Sequence, residues 1–237
     1  MKKQRLDKFV SNQLNISRND ARINIRRGKA SVNGNIVRDA AFSIDADKDK
    51  VIYNGQAVCF KEFVYILMNK PSGILSASTD SKRKTVIDLV PESIRRQGLF
   101  PVGRLDKDTT GLLLITDDGV FAHNCISPKK DISKSYIVEL DGDVTNDMVT
   151  VFKSGVTLAD GTKCKSAVLE RLGKNIARVI ITEGRYHQIK RMFGTVGLGV
   201  NKLHREAIGG LKIPAELKEG ECIEMAKNAL ENDIMLK

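Results

Sequence analysis

The stretch Pro101 to Gly119, PVGRLDKDTTGLLLITDDG, concentrates the groups in this chain best able to do chemistry. Asp106 stands two residues after Arg104 in a Gly-bounded loop that runs into the apolar segment Leu112 to Ile115. A loop at a strand end can hold a side chain rigidly while exposing it to a ligand. A carboxylate so placed can attack an electrophilic carbon or act as a base. Spacing alone leaves a second reading open, because an Asp in a loop is also a common turn former or ion-pair partner. Arg104 likewise reads either as a phosphate contact or as the structural partner of Asp108. Tyr136, in an apolar stretch, reads from pattern alone as half-buried core.

Secondary elements must position these groups. Phe63 to Met68 is a continuous apolar run followed by Pro71 and Gly73, as in a buried strand that ends in a turn. Further strands are expected at Gly111 to Thr116, Ser135 to Leu140, Ala177 to Thr182 and about Val200 to Ile208. Helices are expected at Thr145 to Lys153 and His187 to Val196. Asp117 and Asp118 read as N-cap and first-turn acid of a helix starting near Val120. Because strands and helices do not alternate regularly, the expected class is α+β, with a mixed, mainly antiparallel sheet flanked by helices.

The N-terminal part has a different pattern. Leu6, Phe9, Val10 and Leu14 recur at helical spacing, which predicts an amphipathic helix over Arg5 to Leu14. Ser17 followed by Asp20 can cap a second helix that stops at Gly28. Val32-Asn33-Gly34-Asn35 then signals a two-residue hairpin turn. Asp45 to Lys61, polar and broken by Asn54-Gly55, closes this module and supplies a link. Two domains are therefore expected, residues 1–60 and 61–237, of which the first is small and mixed α/β.

Composition limits the partners. With 237 residues and 41% hydrophobic content the chain can bury a core, and no apolar run approaches bilayer length. The start MKKQRLDKF leads into an amphipathic pattern instead of a signal peptide, so a soluble, cytoplasmic protein is expected. Cys59, Cys125, Cys164 and Cys222 form no CxxC pair, and His123, His187 and His204 lack metal-ligand spacing. Reduced, mostly buried thiols and no metal are expected. The formal charge of +10 points to a polyanion. Ten Lys and Arg fall in residues 1 to 40 against Asp7, Asp20 and Asp39, so the first module carries the basic bias.

RLDKFVSNQL followed by SRNDARINIRRGKASVNGNIV resembles the S4 RNA-binding domain over about the first 60 residues. By that resemblance Arg18, Arg22, Arg26, Arg27 and Lys29 are RNA contacts; the plainer reading is the solvated face of a helix. GRLDxDTTGLLLxTDDG resembles the catalytic segment of the RsuA-type pseudouridine synthases. NKPSG, SKSY, EGRYHQIKRMF and LHREAIGG agree with that family in order, so the likeness spans the chain. It implies Asp106 as catalytic residue, a basic partner at Lys190 with Arg191 as second choice, and Tyr136 stacking on a flipped-out base. It implies for Arg104 a backbone contact or a part in base extrusion, and for His187 a hydrogen-bonding or loop role. No cofactor is implied. The implied partner is ribosomal RNA, 16S rRNA or an assembling small subunit ahead of 23S rRNA, and the protein is expected to be a monomer.

Two other classes compete. The run Asp106-Lys107-Asp108-Thr109, followed by Thr110, also fits DxDxT, the nucleophile motif of Mg²⁺-dependent haloacid-dehalogenase-like phosphatases, but it lies mid-chain and Asp117-Asp118 follow too soon. A noncatalytic RNA-binding protein would explain the charge and leave the blocks around Asp106, Tyr136 and Lys190 without a purpose.

Overall fold

The structure, a computed structural model, describes residues 3–235. It divides into two compact units, Met1–Val64 with Pro91–Leu99, and Tyr65–Val90 with Phe100–Lys237. No helix among the described residues is long and apolar enough to cross a membrane.

The first unit runs β1 (Lys3–Arg5), α1 (Leu6–Leu14), α2 (Arg18–Arg26), β2 (Ala30–Val32), β3 (Asn35–Ile36), β4 (Ser43–Asp45), β5 (Val51–Tyr53) and β6 (Gln56–Val58). Helix α1 starts one residue later than the sequence suggests, because Arg5 is extended and pairs with Ser43. Ser17 caps α2: its hydroxyl accepts from Asp20 N at 3.0 Å and donates to the Asp20 carboxylate at 2.6 Å. Asn33 and Gly34 both take positive φ, 51° and 84°, the geometry of a type I′ turn, and join β2 to β3. Asp45 to Lys61 is more than the expected link. Asn54 and Gly55 repeat the turn at φ 50° and 78°, and β5 and β6 complete a sheet ordered β3-β2-β5-β6. Leu6, Phe9, Val10, Ile25, Val51 and Tyr53 form its core.

The second unit comprises β7 (Tyr65–Lys70), β8 (Phe100–Pro101), β9 (Thr110–Thr116), α3 (Gly119–Ile126), β10 (Lys134–Leu140), α4 (Asn146–Ser154), β11 (Val168–Gly173), β12 (Ile176–Ile181), α5 (Gln188–Thr195), β13 (Val200–Ile208), β14 (Leu211–Lys212), β15 (Cys222–Glu224) and α6 (Lys227–Met235). Its sheet is ordered β11-β12-β10-β13-β9-β7-β15, with β14 on β13 and β8 on β9. Among the described residues of this sheet only β13 and β9 pair in parallel, so the sheet is mixed and mainly antiparallel. β7 and β9 are apolar on both faces because both faces are covered: Ile66, Leu67, Met68 and Leu112 to Ile115 are all buried. Each such side chain contributes roughly 1.5–3 kcal/mol of burial.

Two local features fix the strands that carry the site. Gly111 has φ +103°, and a Cβ there would lie 2.3 Å from Arg205 O, so only glycine lets β13 approach β9 in parallel register. Asp118 caps α3 by accepting from Phe121 N at 3.0 Å, and it also accepts from Tyr65 Oη at 2.7 Å and Lys227 Nζ at 3.1 Å. One carboxylate therefore ties α3 to β7 and α6. Burial, reinforced by the Asp118 carboxylate, raises the Tyr65 phenol far above its ordinary value. Helix α3 begins at Gly119, so the N-cap is Asp118 and not Asp117 as the sequence suggests, and no acid stands in the first turn. Cys125 and Cys164 are buried, Cys222 is half-buried and Cys59 is exposed; all are free thiols.

Candidate active site

Asp106 lies in the loop between β8 and β9, and its backbone neighbours are held from below. Leu105 N donates to Ser76 Oγ at 3.2 Å, and the same hydroxyl donates to Leu105 O at 2.9 Å. Gly73 N donates to Lys107 O at 2.8 Å, and Thr109 N to Asp106 O at 3.1 Å. The strongest tether is Lys70 at the end of β7. Its side chain is fully buried, and Nζ donates to Pro71 O, Lys107 O and Thr109 O at 2.9, 3.1 and 2.9 Å. Burial pushes the ammonium down to about 8, against the opposing pull of Asp108, Asp106 and Glu219. The sequence reading gave Lys70 no role, although a lone Lys closing the apolar run YILMNK is a visible signal.

Above this base the carboxylate faces Lys190 and His187. Asp106 is about a quarter exposed, with Lys190 Nζ 3.9 Å from Oδ2 and His187 Nε2 3.5 Å from Oδ1. Lys190 also sits 2.5 Å from Asp108 Oδ2, and this bond holds the Asp108 carboxyl below its ordinary value although burial opposes it. Asp108 is therefore the partner of Lys190, and among the described residues no acid lies within ion-pair distance of Arg104. Arg104 is exposed on the wall of the cleft that Asp106 also lines. Tyr136, 7% exposed on β10 opposite Arg205 of β13, lines the same cleft. Arg191 points elsewhere: its guanidinium donates to Asp160 Oδ2. Asp160 is held down at about 2, first by backbone and side-chain hydrogen bonds from Thr162 and then by Arg191.

The fourth wall is the turn before α5. Glu183, almost buried, accepts from Lys165 N at 2.9 Å, Arg185 Nε at 3.1 Å and Gln188 Nε2 at 2.8 Å. Gln188 Oε1 in turn accepts from Arg185 N at 2.9 Å. This network shapes the segment that carries His187 and Lys190, and the sequence reading singled out neither Glu183 nor Gln188. Among the described residues no cluster of His, Cys, Asp and Glu could hold a metal ion.

In the first unit the basic candidates separate into two groups. Arg18 NH2 and Arg22 Nε, together with Arg5, converge on the fully buried Asp7 at 2.9–3.1 Å. Burial alone would raise the Asp7 carboxyl, but the hydrogen bonds from Arg5, Arg22 and Arg18 hold it far below the usual range. Arg26, Arg27 and Lys29 are exposed, and among the described residues none of them has an acidic partner at ion-pair distance.

The fold that holds this carboxylate in a cleft has relatives among known proteins. Residues 64–195 match the RNA pseudouridylate synthase family, and the chain belongs to it. It is therefore an isomerase acting on RNA, a pseudouridine synthase of the RsuA-like type, and the phosphatase and noncatalytic readings fall. The chain is 42% identical over 219 residues to the ribosomal small subunit pseudouridine synthase A of Escherichia coli K12, covering 92% of this chain and 94% of that protein. It is 38% identical over 231 residues to an uncharacterized RNA pseudouridine synthase of Bacillus subtilis, covering 95% and 96%. A crystal structure of a pseudouridylate synthase superposes with TM-score 0.66 at 33% identity, over 96% of this chain and 98% of that one.

Proposed function

We propose that this enzyme isomerises one uridine of 16S rRNA in the small ribosomal subunit, with Asp106 as the catalytic carboxylate. The observation that carries the reading is the presentation of Asp106. It is partly exposed in the cleft, fixed from below by Lys70 and Ser76, and faced by Lys190. Either attack or proton removal at the sugar requires an ionised carboxylate, and Lys190 is placed as its counter-ion. The reaction breaks the bond from ribose C1′ to base N1, rotates the base, and forms a bond from C1′ to C5. The C5 proton is lost and N1 gains one, so neither electrons nor a phosphoryl group are transferred.

Tyr136 supplies a π-face for a base taken out of its stack and is the candidate to help remove the C5 proton. Arg104 contacts the backbone or helps extrude the base. Lys190 is the counter-ion; Arg191, engaged with Asp160, supports the turn that presents it. Residues 1–60 act as an S4-like RNA-binding domain through Arg18, Arg22, Arg26, Arg27 and Lys29, and residues 61–237 carry the chemistry. The small-subunit assignment follows the name of the Escherichia coli relative. No cofactor takes part, and the protein works in the cytoplasm as a monomer.

The test is pseudouridine mapping of 16S and 23S rRNA from a strain lacking this protein, complemented by wild type or by Asp106→Asn. One 16S site should disappear, return with wild type and stay absent with Asp106→Asn, while the variant keeps the wild-type Tm. A site lost only from 23S rRNA overturns the substrate, and turnover by Asp106→Asn overturns the role of the carboxylate.

A further inference from the structure

Tyr186 is 72% exposed, more than any other aromatic side chain among the described residues that the core leaves outside. Its ring lies flat against His187, with centroids 3.8 Å apart and planes 18° from parallel. His187 lines the cleft and reaches toward Asp106, so the outer face of the pair is turned to solvent at the cleft mouth. His187 adopts φ +48°, a left-handed conformation that a non-glycine residue holds only where its surroundings enforce it. Enforcement is visible: Gln188 N donates to Arg185 O at 3.2 Å, Gln188 Oε1 accepts from Arg185 N, and Glu183 anchors both side chains. Arg191 adds a bond to Tyr186 O at 3.5 Å.

A strained, cross-braced turn that presents a large ring to water is not explained by packing, since Tyr186 belongs to no core. Two rings stacked at the spacing of nucleobases are, however, one end of a stack that a further base can continue. Every base has a π-face, and a ring held rigidly in advance loses little freedom on binding. A target uridine drawn into the cleft leaves its neighbour in the strand unstacked at the mouth, where this face lies.

We propose that the Tyr186–His187 pair is a stacking platform for the nucleotide next to the target uridine, making Tyr186 a determinant of which RNA context is accepted. The proposal rests on the reading that the cleft takes a flipped uridine, but it is independent of which ribosomal subunit supplies that uridine. Tyr186 here positions substrate and does not touch the reacting atoms.

The experiment uses the full-length enzyme and whichever rRNA fragment regains pseudouridine with wild type. Tyr186→Ala should raise KM about 5- to 150-fold, the span of one lost base–aromatic stack, with kcat changed less than threefold. Tyr186→Phe should restore KM, whereas Tyr186→Leu, apolar but without a ring, should not. An abasic nucleotide beside the target should weaken wild type by the same factor and leave Tyr186→Ala no weaker than before. Wild-type KM for Tyr186→Ala, or an abasic effect of equal size in both enzymes, overturns the platform. A wild type inactive on 16S fragments but active on 23S fragments overturns only the substrate named above, and the same variants then test the platform on 23S.

Discussion

Replacing Lys70 by Met keeps most of the side-chain volume and removes three bonds, two of which, to Lys107 O and Thr109 O, tie the Asp106 loop to β7. Three hydrogen bonds from a charged donor contribute roughly 1.5–3 kcal/mol each. Against them stands the cost of burying the ammonium. A depression from 10.5 to about 8 corresponds to ~3 kcal/mol at about 1.4 kcal/mol per pH unit. The net loss for Lys70→Met is therefore about 2–5 kcal/mol, in the range seen when contacts of a buried charge are broken. For a domain of this size that is a Tm lower by about 5–15 °C. The loop carbonyls freed at Lys107 and Thr109 follow Asp106 in the same loop, and with Asp106 as the catalytic group proposed above a displacement of about 1 Å costs on the order of 100-fold in rate. kcat should fall about 10- to 100-fold at saturating RNA, with RNA affinity unchanged. The pH dependence supplies an independent reading. Between pH about 8 and 10.5 the unfolded chain keeps the Lys70 proton and the folded chain has released it. The unfolded state then binds more protons, so wild-type stability rises with pH through that window relative to Lys70→Met, by at most ~3 kcal/mol. Denaturant titrations of both proteins across this range measure it. A Lys70→Met enzyme with wild-type Tm and kcat, or a difference that shrinks as pH rises, refutes the argument.

Other perturbations follow from the same structure. Asp7→Asn should destabilise the first unit by about 1–3 kcal/mol, because four charge-assisted bonds weaken while the half-exposed arginines regain water. Since the folded carboxyl is depressed, its contribution is complete above the unfolded value of about 4 and is lost as pH falls toward the folded one; acid denaturation of wild type and Asp7→Asn should converge there. Arg26→Glu with Arg27→Glu should weaken RNA binding and flatten the salt dependence by about 0.9 per lost phosphate contact, with Tm unchanged. Unaltered affinity in a filter-binding titration would move the RNA footprint off this face. With prefolded RNA, a chelator should leave turnover at the wild-type rate, and a stoichiometric transition metal lost together with activity would contradict that.

Long elements were legible because their pattern is local. The strands around Leu112 to Ile115 and Val200 to Ile208 announce themselves as apolar or alternating runs, and the cap at Ser17 is written three residues from the amide it satisfies; of the adjacent Asp117 and Asp118, local pattern does not say which one caps α3, and the structure gives Asp118. Strands β5 and β6 were missed as an element because three residues each, among Asp47, Lys48, Asp49 and Lys50, give no period to count. Edge strand β11, which buries only Leu169, and α6, which buries only Leu230 and Ile234, are longer but show too few apolar positions to give a period. The parallel pairing of β13 with β9 joins residues more than ninety positions apart, and no local signal other than Gly111 records it.

The candidate site is written in the sequence as a set of residues and not as a geometry, and Lys190 and Arg191 show the difference. Adjacent helix positions differ by about 100° in direction, so one cannot replace the other opposite a fixed carboxylate. The phase of α5 is set by Ile189, Met192 and Phe193, all buried at spacing i, i+3, i+4. Taking Ile189 near the centre of that buried stripe puts Lys190 about 100° away, at the margin where the helix meets the Asp106 loop, and Arg191 about 200° away. The side-chain partners agree: Lys190 reaches Asp106 and Asp108, and Arg191 reaches Asp160 on the other side. The apolar phase in the sequence therefore held the discrimination between the two cations. What it could not hold is the position of Asp160, which comes to α5 from a loop thirty-one residues earlier and gives Arg191 a partner of its own.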